Sequence, residues 1–209
     1  MGKRWEKEKR SPCSDNKKKT VVWYFIQLFS IVELMENIIL TGPKFSGKTS
    51  TGRVLALLCS CEFIDLDDMI LQKTGKTPRQ LYAEDPEIFR NAEAEELTAI
   101  IKSAIARSGR KVIGTGGGII DNPNGIAMLE SAGATVVYLN ISADSAWGRI
   151  SKEGDLPPFL RTANPRETHR DIHDRRSAAY PRLAKLIIET EGKNPNMIAQ
   201  EIAERTGWK

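Results

Sequence analysis

The sequence predicts an α/β domain in which a parallel β-sheet carries helices on both of its faces. Short apolar segments alternate with amphipathic ones from residue 37 to residue 205, which is the pattern of strands joined by helices. A glycine-rich motif directly follows the first apolar segment, and clusters of aspartate or glycine follow two later ones. Ligands of such sheets bind beyond the carboxyl ends of the strands, so these clusters are the candidate functional positions.

The strands are short apolar runs, predicted at Asn37–Leu40, Phe63–Asp65, Lys111–Gly114, Thr135–Asn140 and Leu186–Glu189. The helices are predicted at Gly47–Ser60, from Asp67 onward, and at Pro86–Ser108, Asn124–Ser131, Ala143–Ser151, Arg166–Ala184 and Asn194–Arg205. Glycine and proline interrupt residues 152–165, which predicts a loop there. Together these elements predict a three-layer α/β/α sandwich over residues 35–209.

The first 34 residues differ from the rest in composition. The chain carries a net charge of +4, but residues 1–19 hold the excess, and the near-neutral remainder gives little support for a nucleic-acid partner. The apolar run 21–32 is shorter than the roughly 20 residues of a membrane-spanning helix. Because Met35 precedes the first strand, we interpret residues 1–34 as a disordered extension without a catalytic part, a membrane anchor or export signal being the alternative.

The cysteines and histidines do not have the spacing of a metal site. Cys13, Cys59 and Cys61 lack the pattern of a disulfide framework or a zinc cluster, which favours reduced thiols in a cytoplasmic protein. His169 and His173 lie four residues apart on a predicted helix, with no third ligand near them in sequence. We therefore expect the two histidines to lie on a solvated helix face.

The glycine-rich motif after the first strand fits the phosphate-binding pattern G-x-x-x-x-G-K-[ST]. Its position between a strand and a helix is the one that this chemistry needs, because backbone N–H groups at a helix N-terminus hold phosphate oxygens. Lys48 is expected to reach the β- and γ-phosphates, and the Thr49 hydroxyl to ligate Mg²⁺. The predicted nucleotide-binding residues are Gly42, Pro43, Lys44, Phe45, Ser46, Gly47, Lys48, Thr49 and Ser50.

Two carboxylates follow the second strand. Asp65 and Asp67 alternate along the chain and leave the sheet on the same side. Phosphoryl transfer to an alcohol needs a group that holds the metal and a group that positions or deprotonates the hydroxyl. We assign Asp65 to Mg²⁺ and Asp67 to the hydroxyl as general base, and we expect Asp68 to be the cap of the following helix.

Three further clusters are typical of a site for a small hydroxy acid. Arg90 lies on the long helix, Gly116, Gly117 and Gly118 follow the third strand, and Arg176 lies on a later helix. Guanidinium groups match the geometry of a carboxylate, and a glycine run lets the backbone approach a ligand closely. The sequence therefore predicts ATP-dependent phosphorylation of a small acid that carries hydroxyl groups.

In order and spacing these motifs resemble the shikimate kinases, from Met35 to about Arg205. The resemblance implies a sheet of five parallel strands in the order 2-3-1-4-5, a mobile lid at about 152–165, and transfer of the ATP γ-phosphoryl group to the shikimate 3-hydroxyl. It also implies that Asp67, Arg90, the three glycines and Arg176 contact shikimate, that Arg149 packs near adenine, and that Glu93 orients Arg90. ATP, shikimate and Mg²⁺ are the expected ligands of a cytoplasmic monomer without nucleic-acid or membrane partners.

Two positions depart from that family's pattern. Phe45 occupies a position in the phosphate loop where glycine is common, and Pro157 occupies the place of a lid arginine that reaches over the phosphates. Arg161 follows shortly and is a candidate substitute. Two alternatives stay open: a related kinase of another hydroxy acid such as gluconate, and a catalytically degenerate relative that binds nucleotide or a metabolite.

Overall fold

The structure, a computed structural model, describes residues 37–106, 109–152 and 156–208. Its centre is a five-stranded sheet in the order β2-β3-β1-β4-β5, and every neighbouring pair of strands is parallel. The strands are β1 (Ile38–Thr41), β2 (Glu62–Asp65), β3 (Lys111–Gly114), β4 (Thr135–Asn140) and β5 (Leu186–Glu189). The expected strand order is confirmed, while the interpretation of residues 1–34 falls outside the described residues.

Helices cover both faces of this sheet. They are α1 (Lys48–Leu58), α2 (Leu66–Thr74), α3 (Pro78–Glu84), α4 (Pro86–Ala106), α5 (Pro123–Ser131), α6 (Ala143–Ile150), α7 (Pro165–Ser177), α8 (Tyr180–Leu183) and α9 (Pro195–Thr206), with 3₁₀ turns at Ile119–Asp121 and Pro158–Leu160. Strand β1 is buried on both sides: Ile38 and Leu40 join the core beneath α1 and α9, and Ile39 joins the core beneath α2, α4 and α5. In the described part of the chain, no helix combines the length and apolar character needed to cross a bilayer.

Two predicted helices are divided in the structure. The stretch from Asp67 ends at Gly75, which adopts the left-handed conformation, and α3 starts anew after Thr77 in a capping box with Gln80. The expected helix Arg166–Ala184 is likewise divided into α7 and α8. Pro181 lies at the start of α8 and has no N–H to continue the hydrogen-bond pattern of α7.

The expectation that His169 and His173 lie on a solvated helix face is wrong. Their exposed fractions are only 7% and 6%, because this side of α7 packs against α6. The His169 ring lies 5.6 Å from the Trp147 ring, and His173 Nε2 lies 2.9 Å from the carbonyl oxygen of Ile141. Among the described residues no cluster of three or more His, Cys, Asp or Glu side chains could hold a metal ion.

The thiols of Cys59 and Cys61 are free, and burial raises the pKa of Cys61 to about 11. Both pack at the edge of the core beneath α1. Cys13 lies outside the described residues.

Candidate active site

The phosphate loop connects β1 to α1 and folds around the side chain of Lys48. Gly47 is the N-cap of α1 with φ of 95°, and Lys48 Nζ donates to the carbonyl oxygens of Gly42 and Pro43, each at 2.9 Å. Burial lowers the pKa of Lys48 to about 8, although the nearby charges of Asp67 and Asp65 oppose the shift. The loop therefore holds an ammonium group at the N-terminus of a helix, where phosphate oxygens are favoured.

Phe45 adopts the left-handed backbone conformation with φ of 65°. Glycine reaches this region without steric cost, which explains why the resemblance expects glycine here and why Phe45 is strained. Arg149 Nη1 donates to the carbonyl oxygen of Phe45 at 2.7 Å and ties α6 to the loop. Arg149 thus lies beside the nucleotide loop, and its contact with adenine stays a prediction.

Asp65 makes two contacts at the end of β2. Its Oδ2 accepts a hydrogen bond from the Thr49 hydroxyl at 2.9 Å, and its Oδ1 accepts from the backbone N–H of Asp67 at 3.1 Å. The second contact makes Asp65 the N-cap of α2, so the expected cap at Asp68 is wrong. The cap moves because α2 begins at Leu66, directly after the strand, with no loop between them.

Two buried carboxylate oxygens face the glycine run. Asp67 Oδ1 and Glu93 Oε1 are both buried without a hydrogen-bond partner among the described residues. A Cβ atom added to Gly116 would lie 3.3 Å from the first oxygen and 3.1 Å from the second. Burial, followed by the charge of Asp65, raises the pKa of Asp67, and burial raises the pKa of Glu93 to about 7. Of these two residues Asp67 lines the cavity beside Gly116, so its carboxylate can reach a hydroxyl group of a ligand there.

Asn122 joins Glu93 to Arg90, which differs from the direct contact that the resemblance implies. Asn122 Nδ2 donates to Glu93 Oε2 at 3.0 Å and to the backbone oxygen of Arg90 at 2.8 Å. The guanidinium group of Arg90 instead forms an ion pair with Glu87, one turn before it on α4. Glu93 therefore fixes the backbone position of Arg90 through Asn122, and its other carboxylate oxygen lies close to Gly116.

Arg176 lies against the glycine run from the opposite side. Its Nε donates to Asp121 Oδ2 at 2.9 Å, and its Nη1 donates to the carbonyl oxygen of Gly117 at 3.2 Å. The Tyr180 hydroxyl donates to the same carbonyl oxygen at 2.7 Å. Burial alone would raise the pKa of Asp121, but its ion pairs with Arg175 and Arg176 outweigh that effect and lower it.

One cavity of about 1160 Å³ joins these groups. The predicted site residues that line it are Lys44, Phe45, Gly47, Lys48, Thr49, Ser50, Asp65, Asp67, Arg90, Gly116, Gly117, Gly118, Arg149 and Arg176. Gly42, Pro43 and Ser46 belong to the phosphate loop but do not line the cavity. The structure therefore places the predicted nucleotide and acceptor groups in one continuous space.

The described part of the lid segment, from residue 156, closes one side of this cavity. Pro157, Pro158 and Phe159 line the wall, and Phe159 lies 5.9 Å from the guanidinium carbon of Arg176. Arg161 is exposed and does not contribute to the wall.

The sequence did not predict the roles of three polar residues at or beside the cavity, Arg79, Asp121 and Asn122. Arg79 lines the cavity, and its Nη2 donates to the carbonyl oxygen of Leu156 at 2.7 Å. Asn122 is the N-cap of α5, followed by proline at the first helical position, a recognisable helix start. No local pattern signals the contacts of Arg79 or Asp121, since their partners lie 54 to 77 residues away in sequence.

The buried carboxyl of Glu93 gives a pH-dependent prediction. Its pKa rises from 4.5 to about 7 on folding, so the folded state binds the proton more tightly and loses stability as pH rises through this interval. The loss amounts to about 3 kcal/mol. Glu93→Gln keeps an acceptor for Asn122 without the charge, so the variant should gain stability relative to the wild type between pH 5 and pH 8. Urea unfolding at both values checks this, and a constant difference would contradict it.

The comparisons with known proteins agree with this geometry. The shikimate kinase family model matches residues 45–206. The shikimate kinase of Pseudomonas entomophila is 37% identical over 172 residues, which cover 82% of this chain and 96% of that protein. Among solved structures, the shikimate kinase of Acinetobacter baumannii in complex with shikimate has a TM-score of 0.73 at 32% identity and covers 84% of this chain and 95% of that one. The enzyme of Bacteroides thetaiotaomicron has a TM-score of 0.70 at 25% identity, with coverages of 83% and 99%. This chain therefore belongs to the shikimate kinase family.

Proposed function

We propose that this protein transfers the γ-phosphoryl group of ATP to the 3-hydroxyl group of shikimate. The observation that carries the proposal is the position of Asp67, whose Oδ1 is buried without a hydrogen-bond partner, in the wall of the same cavity as Lys48. A buried oxygen without a partner is costly, and a hydroxyl group of an acceptor would satisfy that of Asp67. Arg90 and Arg176 line the same cavity and offer cationic groups to the acceptor's carboxylate.

The residues divide the reaction as follows. The acceptor hydroxyl loses its proton to the carboxylate of Asp67 while its oxygen attacks the γ-phosphorus, and the bond to the bridging oxygen of ADP breaks. Lys48 holds the phosphates from the loop, at the N-terminus of α1. Thr49 and Asp65 offer a hydroxyl and a carboxylate oxygen, the hard donors that suit Mg²⁺, and a bound Mg²⁺ would neutralise phosphate charge.

The proposal is tested with a panel of acceptors in an assay of ADP release. We expect turnover with ATP, Mg²⁺ and shikimate, with shikimate 3-phosphate identified by ³¹P NMR, and little turnover with gluconate. Phosphorylation of gluconate but not shikimate would identify the other kinase. Tight binding of ATP and shikimate in calorimetry without any turnover would identify a degenerate relative instead.

The general-base assignment is tested by Asp67→Asn. The amide cannot accept the hydroxyl proton, so kcat should fall about 10² to 10⁴-fold while the affinity for ATP stays close to that of the wild type. Asp68→Asn is the matched control, since this exposed neighbour on α2 lies outside the cavity wall. Steady-state assays of ADP release measure kcat, and calorimetric titrations measure the affinity for ATP. Near-normal turnover of Asp67→Asn would remove Asp67 from the role of base.

Two arginines are candidates for the cation that the lid lacks at residue 157: Arg79 on α3 and Arg161 in the lid segment. Arg79 lies in the cavity wall and donates to the lid backbone at Leu156, whereas Arg161 lies outside the wall. A hydrogen bond from a charged group contributes about 1.5–3 kcal/mol, so Arg79→Ala should lower kcat/KM for ATP about tenfold to a hundredfold. Arg79→Lys should restore part of the loss, and Arg161→Ala should lose less than Arg79→Ala. A larger loss in Arg161→Ala would make Arg161 the replacement for the family's lid arginine.

A further inference from the structure

Asp121 holds the guanidinium group of Arg176 along one edge. Arg176 Nε and Nη2 lie 2.9 Å and 2.7 Å from the same oxygen, Oδ2 of Asp121. Arg176 Nη1 donates to the carbonyl oxygen of Gly117 at 3.2 Å. Only 18% of the Arg176 side chain is exposed, so these contacts fix the group inside the cavity wall.

The remaining hydrogen-bonding capacity of Arg176 has a defined direction. A guanidinium group has five N–H donors in a planar fork. Asp121 accepts from the Nε–H and forms an ion pair with Nη2, and Gly117 accepts from one N–H of Nη1. One donor is left on each terminal nitrogen. Two adjacent donors at the end of the fork match the two oxygens of a carboxylate. Phe159 lies over the same guanidinium group and covers it from the lid segment.

Arg175 holds Asp121 from its other side. Arg175 Nη1 donates to Asp121 Oδ1 at 2.6 Å, and Arg175 Nη2 donates to Asp121 Oδ2 at 3.0 Å. This bidentate pair fixes the plane of the carboxylate, although Arg175 itself is 61% exposed. Arg175 therefore fixes the carboxylate of Asp121, and this carboxylate fixes the guanidinium group of Arg176.

We propose that Asp121 is a positioning residue for acceptor recognition, which orients Arg176 so that the end of its fork grips the acceptor's carboxylate. The proposal rests on the proposed function, because it takes the acceptor to be a carboxylic acid. It extends that function by naming the residue that sets selectivity for the charged group. Holding Arg176 in the binding geometry before the acceptor arrives removes the entropy loss of ordering a long side chain.

The test compares Asp121→Ala with Asp121→Asn in steady-state kinetics with shikimate and with its neutral carboxamide. Asp121→Ala should raise KM for shikimate about tenfold, leave KM for ATP within about twofold, and lower the preference for shikimate over the carboxamide about tenfold. Asp121→Asn retains an oxygen that can accept from Arg176 Nε, so both losses should shrink to about threefold.

Asp144→Ala is the matched control. Asp144 also pairs with two arginines of α7, Arg166 at 3.1 Å and Arg170 at 2.8 Å, but it lies outside the cavity wall. We expect this variant to keep the wild-type KM values and the wild-type preference.

Several results would overturn the proposal. A lower KM for shikimate in Asp121→Ala would show that Asp121 competes with the acceptor, and equal losses with shikimate and the carboxamide would show a purely structural role. If Asp121→Ala does not fold, the test uses only the preference of Asp121→Asn for shikimate over the carboxamide. A preference equal to that of the wild type then rejects the proposal. The turnover of shikimate by the wild-type protein is measured before any variant. If the wild type does not phosphorylate shikimate, the proposed function is rejected instead.

Discussion

The nucleotide loop and the acceptor pocket meet at Gly117, where the backbones are too close for a side chain. A Cβ atom at this position would lie 2.8 Å from the backbone nitrogen of Lys44. The carbonyl oxygen of the same residue accepts hydrogen bonds from Arg176 and Tyr180. One peptide segment therefore contacts the phosphate loop through its backbone and Arg176 through its carbonyl oxygen. Because β1 and β3 are neighbours in the sheet, the two loops that follow them are held together at this point.

Three ionisable groups of the site are buried, and the protein does not fully compensate the cost of their charged forms. Lys48 has a lowered pKa, Asp67 and Glu93 have raised ones, and burial is the largest cause in all three. Such groups destabilise the fold unless a partner compensates them, and functional sites are where proteins retain this kind of cost. The phosphates of a nucleotide would suit Lys48, and a hydroxyl of an acceptor would suit Asp67, which both line the cavity. Glu93 does not line it, and its partner in the protein is Asn122.

The sequence predicted the parts of this architecture that depend on local signals. The bounds of β3, β4 and β5 match the predicted runs because buried parallel strands read as short apolar segments between glycine or polar residues. The phosphate loop was recognisable because its chemistry fixes the spacing of glycine, lysine and threonine. The clamp of Asp121 on Arg176 could not be predicted, since it joins residues 55 apart in sequence. The burial of His169 and His173 was missed for the same reason: α6 supplies the packing partner.

The described lid residues contact two helices of the site, although residue 157 is proline. At Pro157 the chain cannot supply a cation, yet Phe159 two residues later contacts Arg176, and Leu156 accepts a hydrogen bond from Arg79. These contacts link the lid backbone to α3 and the lid side chain to α7, both of which line the acceptor pocket. The described lid residues are therefore held by the packing of an aromatic ring on a guanidinium group and by a cation on α3, and not by a charge at residue 157.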